Sequence, residues 1–398
     1  MNDAGRDAPR RRKARLPWAI AIAVLSTAPS LLGCDVLLGI TDVPVPETDG
    51  GTNVHPAGPM DGSADADAQA SSPPTTTGAC DTASDTHNCG RCGHDCLGGQ
   101  CLGGVCQAVA LLDIDAGASP RDLAQDDSFL YWTDLSKGTV NRTSKTTGVT
   151  MLAYRDPSPV GIAVDDAGIY WGDFQGLWRC PKAACNPSAT PTLVAHATTG
   201  VFSLAIDDQS IYWSEESARV FAAPKDGADA GGATVWKGST SVNYLATDGQ
   251  RLYFTADDGM LHIAGVDGGQ PTAIGTAGPS SSEGVALEDG VVYWTVFDPS
   301  NGQVNAASTT SLTPTTFVGT LELPLPVASD GINVYWADMP SEGPPTAEIH
   351  KCAVAACSPI VIGHGYLPHA IVVDDVAVYW TDTQSTTGLY GSLWKIAK

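Results

Sequence analysis

One short pattern recurs seven times between residues 123 and 380. Each copy begins with an aliphatic residue, which is followed by a residue that is usually alanine, by any residue and by an acid. A tyrosine and a second aromatic residue come next, and the second aromatic residue lies six positions after the acid. The acids are Asp126, Asp165, Asp207, Asp248, Glu288, Asp330 and Asp374, and the aromatic residues are Trp132, Trp171, Trp213, Phe254, Trp294, Trp336 and Trp380. Successive aromatic residues lie 39, 42, 41, 40, 42 and 44 positions apart. Because insertions fall only between copies, the pattern indicates seven structural units of about 40 residues.

The apolar segments within each unit predict β-strands. They are short, rich in β-branched and aromatic residues, and bounded by Gly, Asp, Pro and Ser, whereas no helical periodicity of useful length follows residue 107. The second unit divides into strands at 160–164, 169–173, 177–179 and 192–196. Four strands in about 41 residues form one blade of a propeller. We therefore predict an all-β fold, a seven-bladed β-propeller of four-stranded blades, over residues 108–398.

Ring closure is predicted from the two ends of this region. The last unit has only three strand segments before Lys398. Residues 109–114 form an apolar segment that precedes the first unit and belongs to none of the seven. We expect this segment to be the fourth strand of the last blade, which would remove the open sheet edges.

Positions within the repeat have expected structural roles. The alanines suit the crowded first strands near the axis, and the Tyr-Trp pairs supply the bulk between blades. Each acid is placed to accept backbone N–H groups of its own turn. Doubled acids such as Asp126-Asp127 offer calcium or magnesium as an alternative, but seven turns around a ring do not converge on one ion. We predict no cofactor and no metal.

Two copies of the repeat carry a family resemblance. Tyr131-Trp132-Thr133-Asp134 and Tyr379-Trp380-Thr381-Asp382 resemble the repeats of YWTD propellers, and the Ala-x-Asp pattern is similar to NHL-type repeats. The resemblance covers about 290 residues and implies a propeller. The chain departs from the YWTD family, which has six blades, and it has Ala256 and Val296 in place of the final acid.

Residues 1–33 have the build of an export signal. Basic residues from Arg10 to Arg15 precede a short apolar segment that is interrupted by two prolines. The segment ends in Leu31-Leu32-Gly33-Cys34, which resembles the lipobox of bacterial lipoproteins. The resemblance implies that Cys34 is acylated and anchors the chain to a membrane. An ordinary signal peptide with a coincidental cysteine is the alternative.

Residues 34–79 are predicted to form a disordered stalk. Asp, Gly, Pro, Ser, Thr and Ala dominate this stretch, and almost nothing in it could form a core. We expect an exported protein, lipid-anchored in the bacterial cell envelope, at the outer membrane or cell surface rather than the inner membrane.

Residues 80–107 are predicted to form a disulfide module. Six cysteines lie in 27 residues with many glycines between them, and six cysteines allow fifteen connectivities. They are Cys80, Cys89, Cys92, Cys96, Cys101 and Cys106. A zinc site using Cys89, Cys92 and the nearby His87 or His94 is the alternative.

Two further cysteine pairs occur at the same position of the repeat in two different units. Cys180 with Cys185 and Cys352 with Cys357 each enclose four residues and follow a Tyr-Trp pair closely. We predict two local disulfides, Cys180–Cys185 and Cys352–Cys357, each closing a turn.

The charge balance limits the classes of partner. The net charge of −23 disfavours nucleic acid and anionic headgroups and suits cations, basic partners or solubility. We expect a monomer that has no nucleic-acid partner and contacts the membrane only through Cys34. An envelope protein or a glycan is the expected partner.

The funnel at the axis is the expected functional face. The loops from the fourth strand of one blade to the first strand of the next form that face, and propeller sites usually lie there. No nucleophile motif, phosphate loop or dinucleotide fingerprint is present, so we predict a non-enzymatic binding or scaffold module with no catalytic residue. The alternative resembles the metal-dependent propeller lyases and lactonases. Its candidate residues are His364, His369, Glu283 and Asp122.

Overall fold

The computed structural model describes residues 80–398 except 216–217, 228–231, 279, 341–345 and 384–389. The predicted signal segment, Cys34 and the predicted stalk therefore lie outside the described residues. Within the described part of the chain every regular element is a strand. No helix there is long and apolar enough to cross a membrane.

Thirty strands are present in the described residues. A hairpin of β1 (Cys101–Leu102) and β2 (Val105–Cys106) is followed by β3 (Val109–Ala116). The first blade contains β4 (Pro120–Gln125), β5 (Phe129–Asp134), β6 (Thr139–Ser144) and β7 (Thr150–Arg155). The second contains β8 (Ile162–Val164), β9 (Gly168–Gly172), β10 (Gly176–Pro181) and β11 (Thr192–His196). The third contains β12 (Val201–Ile206), β13 (Ser210–Glu215), β14 (Arg219–Pro224) and β15 (Ala233–Lys237).

The remaining blades follow the same plan. The fourth contains β16 (Val242–Thr247), β17 (Arg251–Ala256), β18 (Leu261–Gly265) and β19 (Thr272–Ile274). The fifth contains β20 (Ser281–Glu288), β21 (Val291–Phe297), β22 (Gly302–Ser308) and β23 (Thr315–Leu321). The sixth contains β24 (Leu323–Ser329), β25 (Asn333–Met339), β26 (Ala347–Ala353) and β27 (Ile360–Gly365). The seventh contains β28 (Pro368–Val373), β29 (Ala377–Asp382) and β30 (Tyr390–Ala397).

Strand β3 completes the seventh blade. It pairs antiparallel with β30, with Val109 opposite Lys395 and Asp113 opposite Ser392, so this sheet has the order β28-β29-β30-β3. The prediction of seven four-stranded blades closed by residues 109–114 is confirmed, and the closing strand extends two residues further. The ring joins the two ends of the propeller sequence and leaves no blade incomplete.

The repeated aromatic pairs form the core between blades. Leu123 pairs across strands with Trp132, and Ala124 pairs with Tyr131. Tyr131 in turn packs against Ile162 and Trp171 of the second blade. Five of the tryptophans are among the largest fully buried side chains. Burying about 200 Å² at ~25 cal/mol per Å² contributes on the order of 5 kcal/mol for each one, before entropy is counted.

The repeated acids hold the turn between the first and second strands. Oδ1 of Asp126 accepts the backbone N–H groups of Ser128 and Phe129, at 2.9 and 2.8 Å, and Oδ2 accepts the hydroxyl of Tyr131 at 2.8 Å. Asp165, Asp207, Asp248 and Asp330 accept the corresponding groups. The chain's own donors therefore occupy both oxygens of these carboxylates.

Four of the seven repeat acids, Asp374 among them, also pair with a lysine of the next blade. Each lysine directly follows a third strand, so the ion pair joins neighbouring blades. Lys145 contacts Asp374 at 2.8 Å, Lys182 contacts Asp126 at 2.9 Å, Lys225 contacts Asp165 at 2.8 Å, and Lys398 contacts Asp330. We call these contacts the lysine latches. They run without interruption from the sixth blade through the closing blade to the third.

Three disulfides organise residues 80–107. The pairs are Cys80–Cys92, Cys89–Cys101 and Cys96–Cys106, which selects one of the fifteen connectivities. All six sulfurs are therefore bonded to one another, so none is a thiolate that could bind zinc. Gly103 and Gly104, at φ values of 61° and 82°, form the hairpin turn between β1 and β2.

This segment packs against the closing blade. Nδ1 of His94 lies 2.7 Å from the carbonyl oxygen of Cys89, and Nε2 lies 2.7 Å from that of Lys398. Leu97 packs against the core shared by the first and seventh blades, and Ala397 packs against the buried cysteines. The segment is thus continuous in sequence and in space with the strand that closes the ring.

Two more disulfides close turns on the ring. Cys180–Cys185 and Cys352–Cys357 each begin on a third strand, with Cα atoms 5.5 and 5.1 Å apart. Five disulfides in the described residues indicate that the protein folds in an oxidising environment.

Candidate functional site

The first strands carry a repeated irregularity at the axis. In β4, β12, β16, β24 and β28 the pairing register shifts at the two residues before the aliphatic residue of the repeat, and in β20 it shifts one residue earlier. An extra residue in one strand turns its side chains away from the ladder. The side chains at these two positions therefore decide what the funnel presents.

A threonine of the second strand supports this irregularity. Oγ1 of Thr133 accepts the backbone N–H of Asp122 at 3.2 Å and donates to the carbonyl oxygen of Val160 at 2.6 Å. Thr255 and Thr381 accept the N–H groups of Tyr244 and Ala370. The threonine that follows the aromatic pair thus satisfies a donor that the shifted register leaves without a ladder partner.

Charged or large polar residues occupy these positions in four blades, and blade three adds the smaller Ser203, whose hydroxyl accepts the backbone N–H of Leu245 at 3.1 Å. The residue pairs in chain order are Arg121-Asp122, Val160-Gly161, Phe202-Ser203, Asn243-Tyr244, Glu283-Gly284, Leu325-Pro326 and His369-Ala370. Blades seven and one supply one polar group, and blades four and five supply the other. We call the space between these two groups the axial cleft.

One wall of the axial cleft is built by Arg121, Asp122 and His369. Nη1 of Arg121 lies 3.3 Å from Nε2 of His369. Nδ1 of the same ring lies 3.5 Å from Nη1. Because a guanidinium only donates, one of the two imidazole nitrogens accepts the contact and is unprotonated. Burial and the neighbouring Arg121 lower the pKa of His369 to about 3, in agreement with that assignment.

Asp122 lies beside this pair and is held by backbone donors. Its Oδ2 accepts the N–H of Ile162 at 2.8 Å, and its Oδ1 accepts the N–H of Leu123 at 2.9 Å. Burial raises the pKa of Asp122 to about 6, although both N–H groups and Arg121 act in the opposite direction. A carboxyl group at this depth changes its charge close to neutral pH.

The opposite wall is a hydrogen-bonded network of blades four and five. Nδ2 of Asn243 donates to Oδ1 of Asp257 at 3.0 Å and to the hydroxyl and carbonyl oxygens of Ser281 and Ser282, at 3.1 and 3.0 Å. Ser281 donates to Glu283 at 2.5 Å. Burial, aided by the charge of Asp257, raises the pKa of Glu283.

Tyr244 links the two walls. Its hydroxyl donates to the carbonyl oxygen of His369 at 3.3 Å, so the side chain reaches from the fourth blade to the seventh. Burial raises the pKa of Tyr244, and the charges of Arg121 and Glu283 both influence it. These groups therefore share one electrostatic environment.

A cavity of about 180 Å³ lies at this point of the axis. Its polar lining includes Asp122, Ser203, Tyr244 and His369. Aliphatic residues of all seven first strands line the rest, namely Leu123, Ile162, Leu204, Leu245, Val285, Val327 and Ile371. The axial cleft combines an apolar surface with a few polar groups at fixed positions, which is typical of binding sites.

The sequence-predicted site residues separate into two groups. The structure brings Asp122, His369 and Glu283 to the axial cleft. His364 was expected in a funnel loop, and this expectation is wrong. Strand β27 continues through Gly365, so His364 is an exposed residue of the outermost strand, opposite Glu348.

Asp257 is a cleft residue that the repeat pattern did not indicate. In the first blade the acid of the phrase, Asp134, accepts the N–H groups of Ser119 and Lys137 and so shapes the adjoining loops. The fourth blade has Ala256 at that position. The next residue, Asp257, instead faces Asn243. The replacement of the repeat's final acid by Ala256 was the sequence feature that could have indicated Asp257.

Metal-ligand geometry occurs at one place in the described residues. Ligand atoms of Cys89, Cys96 and Cys101 lie within 4.8 Å of one another, and all three sulfurs are in disulfides. The axial cleft does not bring three such atoms that close together.

Comparisons with known proteins identify the fold alone. No family model matches the chain, and no curated protein matches its sequence. The WD40 β-propeller domain of Doa1 is similar in structure, with a TM-score of 0.55 and 12% identity, over 73% of this chain and 96% of that one. A computationally designed protein, Ika8, has a TM-score of 0.52 and 11% identity, over 72% of this chain and 99% of its own. At such low identity the similarity supports the propeller and carries no function.

Proposed function

We propose that this chain is a non-enzymatic binding protein whose propeller presents the axial cleft to an envelope protein or glycan. One observation carries the proposal. Charged or large polar side chains occupy the shifted positions in four of the seven blades, and those four form two facing walls. Departures from the internal rule of a repeat protein are expected where function requires them.

The properties of the two candidate histidines favour binding over histidine-dependent catalysis. A general acid or base works best with a pKa near the operating pH. The pKa of His369 lies about four units below neutrality, and Arg121 already contacts its ring. The alternative of a metal-dependent lyase or lactonase requires a second funnel histidine, and His364 lies on the outermost strand.

The proposal includes a tether. Acylation of Cys34 would attach the chain to the outer membrane or cell surface, and residues 34–79 would hold the propeller away from the lipid. The sequence motif and the disulfides, which require an oxidising environment, support this. Labelling cells with a fatty-acid probe should mark the wild-type protein and not Cys34→Ser. Equal labelling of both would reject the anchor.

Site-specific photocrosslinking on intact cells tests the binding function. Ser239 and Thr276 are exposed residues of loops on the funnel face, whereas Asp208 and Asp267 are exposed on the opposite face. A crosslinker at either of the first two positions should capture the same partner, and one at the latter two should not. Equal capture from both faces, or capture from the opposite face alone, would contradict the proposal.

A further inference from the structure

We propose that the axial cleft binds a neutral, polyhydroxylated ring, which is the chemistry of an uncharged sugar residue. This inference rests on the proposed binding function and specifies its ligand. It follows from three properties of the cleft, which are its mixed charge, its supply of donors and acceptors, and its apolar flanks.

The charges in the cleft disfavour an ionic ligand of either sign. Arg121 lies on one wall beside Asp122, and it is close enough to Glu283 on the other wall to influence that residue's ionisation. A ligand ammonium would meet the guanidinium, and a ligand carboxylate would meet Asp122 and Glu283. Like charges brought together in a partly desolvated site raise the free energy of the complex. A neutral ligand avoids both costs.

Hydroxyl groups suit the hydrogen-bonding groups that remain. Among the described residues the guanidinium of Arg121 contacts His369 alone, through Nη1, so most of its five donors are available to a ligand. Asp122 and Glu283 are acceptors. Since a hydroxyl both donates and accepts, one sugar can satisfy the arginine and the carboxylates together, which an amine or a carboxylate cannot do.

The blades between the two walls are mainly apolar at the same positions, and Ser203 is their one polar side chain. They have Val160, Phe202, Leu325 and Pro326, and of these Pro326 lines the cavity together with the aliphatic residues of the first strands. A sugar ring has hydroxyls at its edge and C–H groups on its faces, so it matches polar walls and apolar flanks simultaneously. The cavity of about 180 Å³ limits the enclosed part to one residue of this kind. Any further glycan units would extend over the funnel face.

Calorimetric titration of the full chain with monosaccharides tests the inference. The probes are methyl glycosides of neutral hexoses and N-acetylhexosamines, with glucosamine as a cationic analogue and glucuronate as an anionic one. At least one neutral probe should saturate a single site at millimolar concentration, and both charged analogues should bind more weakly. Oligosaccharides ending in the preferred sugar distinguish a glycan ligand, which binds more tightly, from a free sugar, which does not.

Variants locate the site. Asp122→Asn and Glu283→Gln should each weaken binding by about tenfold or more, because each replaces a charged acceptor. Asp208→Asn, on the opposite face, should leave binding unchanged. Glu283→Gln serves as the second test because Asp122 also accepts two backbone N–H groups, and its replacement could disturb folding.

Three results would overturn the sugar assignment. These are tighter binding of a charged analogue, no saturation by any neutral probe, and binding that neither variant weakens. Photocrosslinking from Ser239 and Thr276 separates this failure from failure of the proposed function. Capture of a protein from the funnel face would leave the binding function standing without the sugar. Absence of any partner on that face would reject both.

Discussion

The hydroxyl of Tyr244, in the fourth blade, donates a hydrogen bond to the backbone carbonyl oxygen of His369 in the seventh, across the axis of the ring. The two residues are 125 positions apart. The contact joins the polar pair of blades four and five to that of blades seven and one. It therefore couples the shape of the axial cleft to the relative position of opposite blades.

Removing this contact should have a small, measurable effect on stability. Tyr244→Phe deletes the hydroxyl and keeps the ring, so the free energy of unfolding should fall by about 0.5–1.5 kcal/mol. Denaturant titration measures the change. Tyr253→Phe, which removes a hydroxyl bonded to Asp248 within one blade, is the matched control for stability. Only Tyr244→Phe should also alter ligand binding, and equal effects of both variants on binding would contradict a role for the cross-axis contact.

The ionisation of Asp122 predicts a pH dependence of stability. Its pKa is raised from 3.8 to about 6 in the folded protein, so between these values the folded state holds a proton that the unfolded state has lost. The contribution of Asp122 to stability is therefore present below about pH 4 and is lost as the pH rises to about 6. A shift of about two units corresponds to roughly 3 kcal/mol.

The variant Asp122→Asn isolates that contribution. Between pH 4 and 6 the wild-type protein should lose up to about 3 kcal/mol more stability than the variant does. Asp338, whose pKa burial also raises to about 6, gives a matched second variant away from the cleft. Identical pH profiles for wild type and Asp122→Asn would show that the aspartate is not enclosed as described.

The lysine latches should stabilise the ring at particular interfaces. Lys182→Met leaves Asp126 without its cation, and the two side chains are only 20% and 26% exposed. We expect a loss of about 1–2 kcal/mol, above the value of an exposed ion pair and below that of a fully buried one. Lys237→Met, at an exposed lysine, is the control. A double-mutant cycle with Asp126→Asn should give a coupling energy clearly above zero, and additive effects would argue against a latch.

The sequence was sufficient for the architecture because the repeat records the packing directly. Tyr131 and Trp132 have buried counterparts in every other blade, with Phe254 in place of the tryptophan in the fourth, and seven copies of one spacing specify seven blades. The segment at 109–114 could be assigned to the last blade by counting strands. These inferences depend on patterns within a single repeat, and each blade of the ring repeats them.

The site was less predictable because it depends on where strands end and which way side chains turn. His364 and His369 are five positions apart, but β27 continues through Gly365 and leaves a short loop, so the two histidines separate. Asn243 and Asp257 meet because β16 shifts its register at residues 243 and 244. The lysine latches join side chains of different repeats, so the sequence pattern of a single repeat does not indicate them.

Thr133 tests whether the shifted register creates the cleft. Its side chain is fully buried, and its hydroxyl bonds both the N–H of Asp122 and the carbonyl oxygen of Val160. Thr133→Val keeps the shape and leaves both backbone groups unsatisfied, so stability should fall by about 1–3 kcal/mol. Thr143→Val, at a buried threonine of β6 whose hydroxyl accepts the indole N–H of Trp132, is the control.

The two threonine variants should differ in their effect on the cleft. Thr133→Val releases the backbone at Asp122 and should therefore weaken ligand binding as well as stability. Thr143→Val should lower stability alone, since its hydroxyl contacts Trp132 of the second strand and Thr150 of the fourth strand and does not contact the backbone at Asp122. Fluorescence-monitored unfolding and calorimetric titration separate the two effects. If Thr133→Val binds ligand as tightly as the wild type, the threonine supports the strand without positioning Asp122.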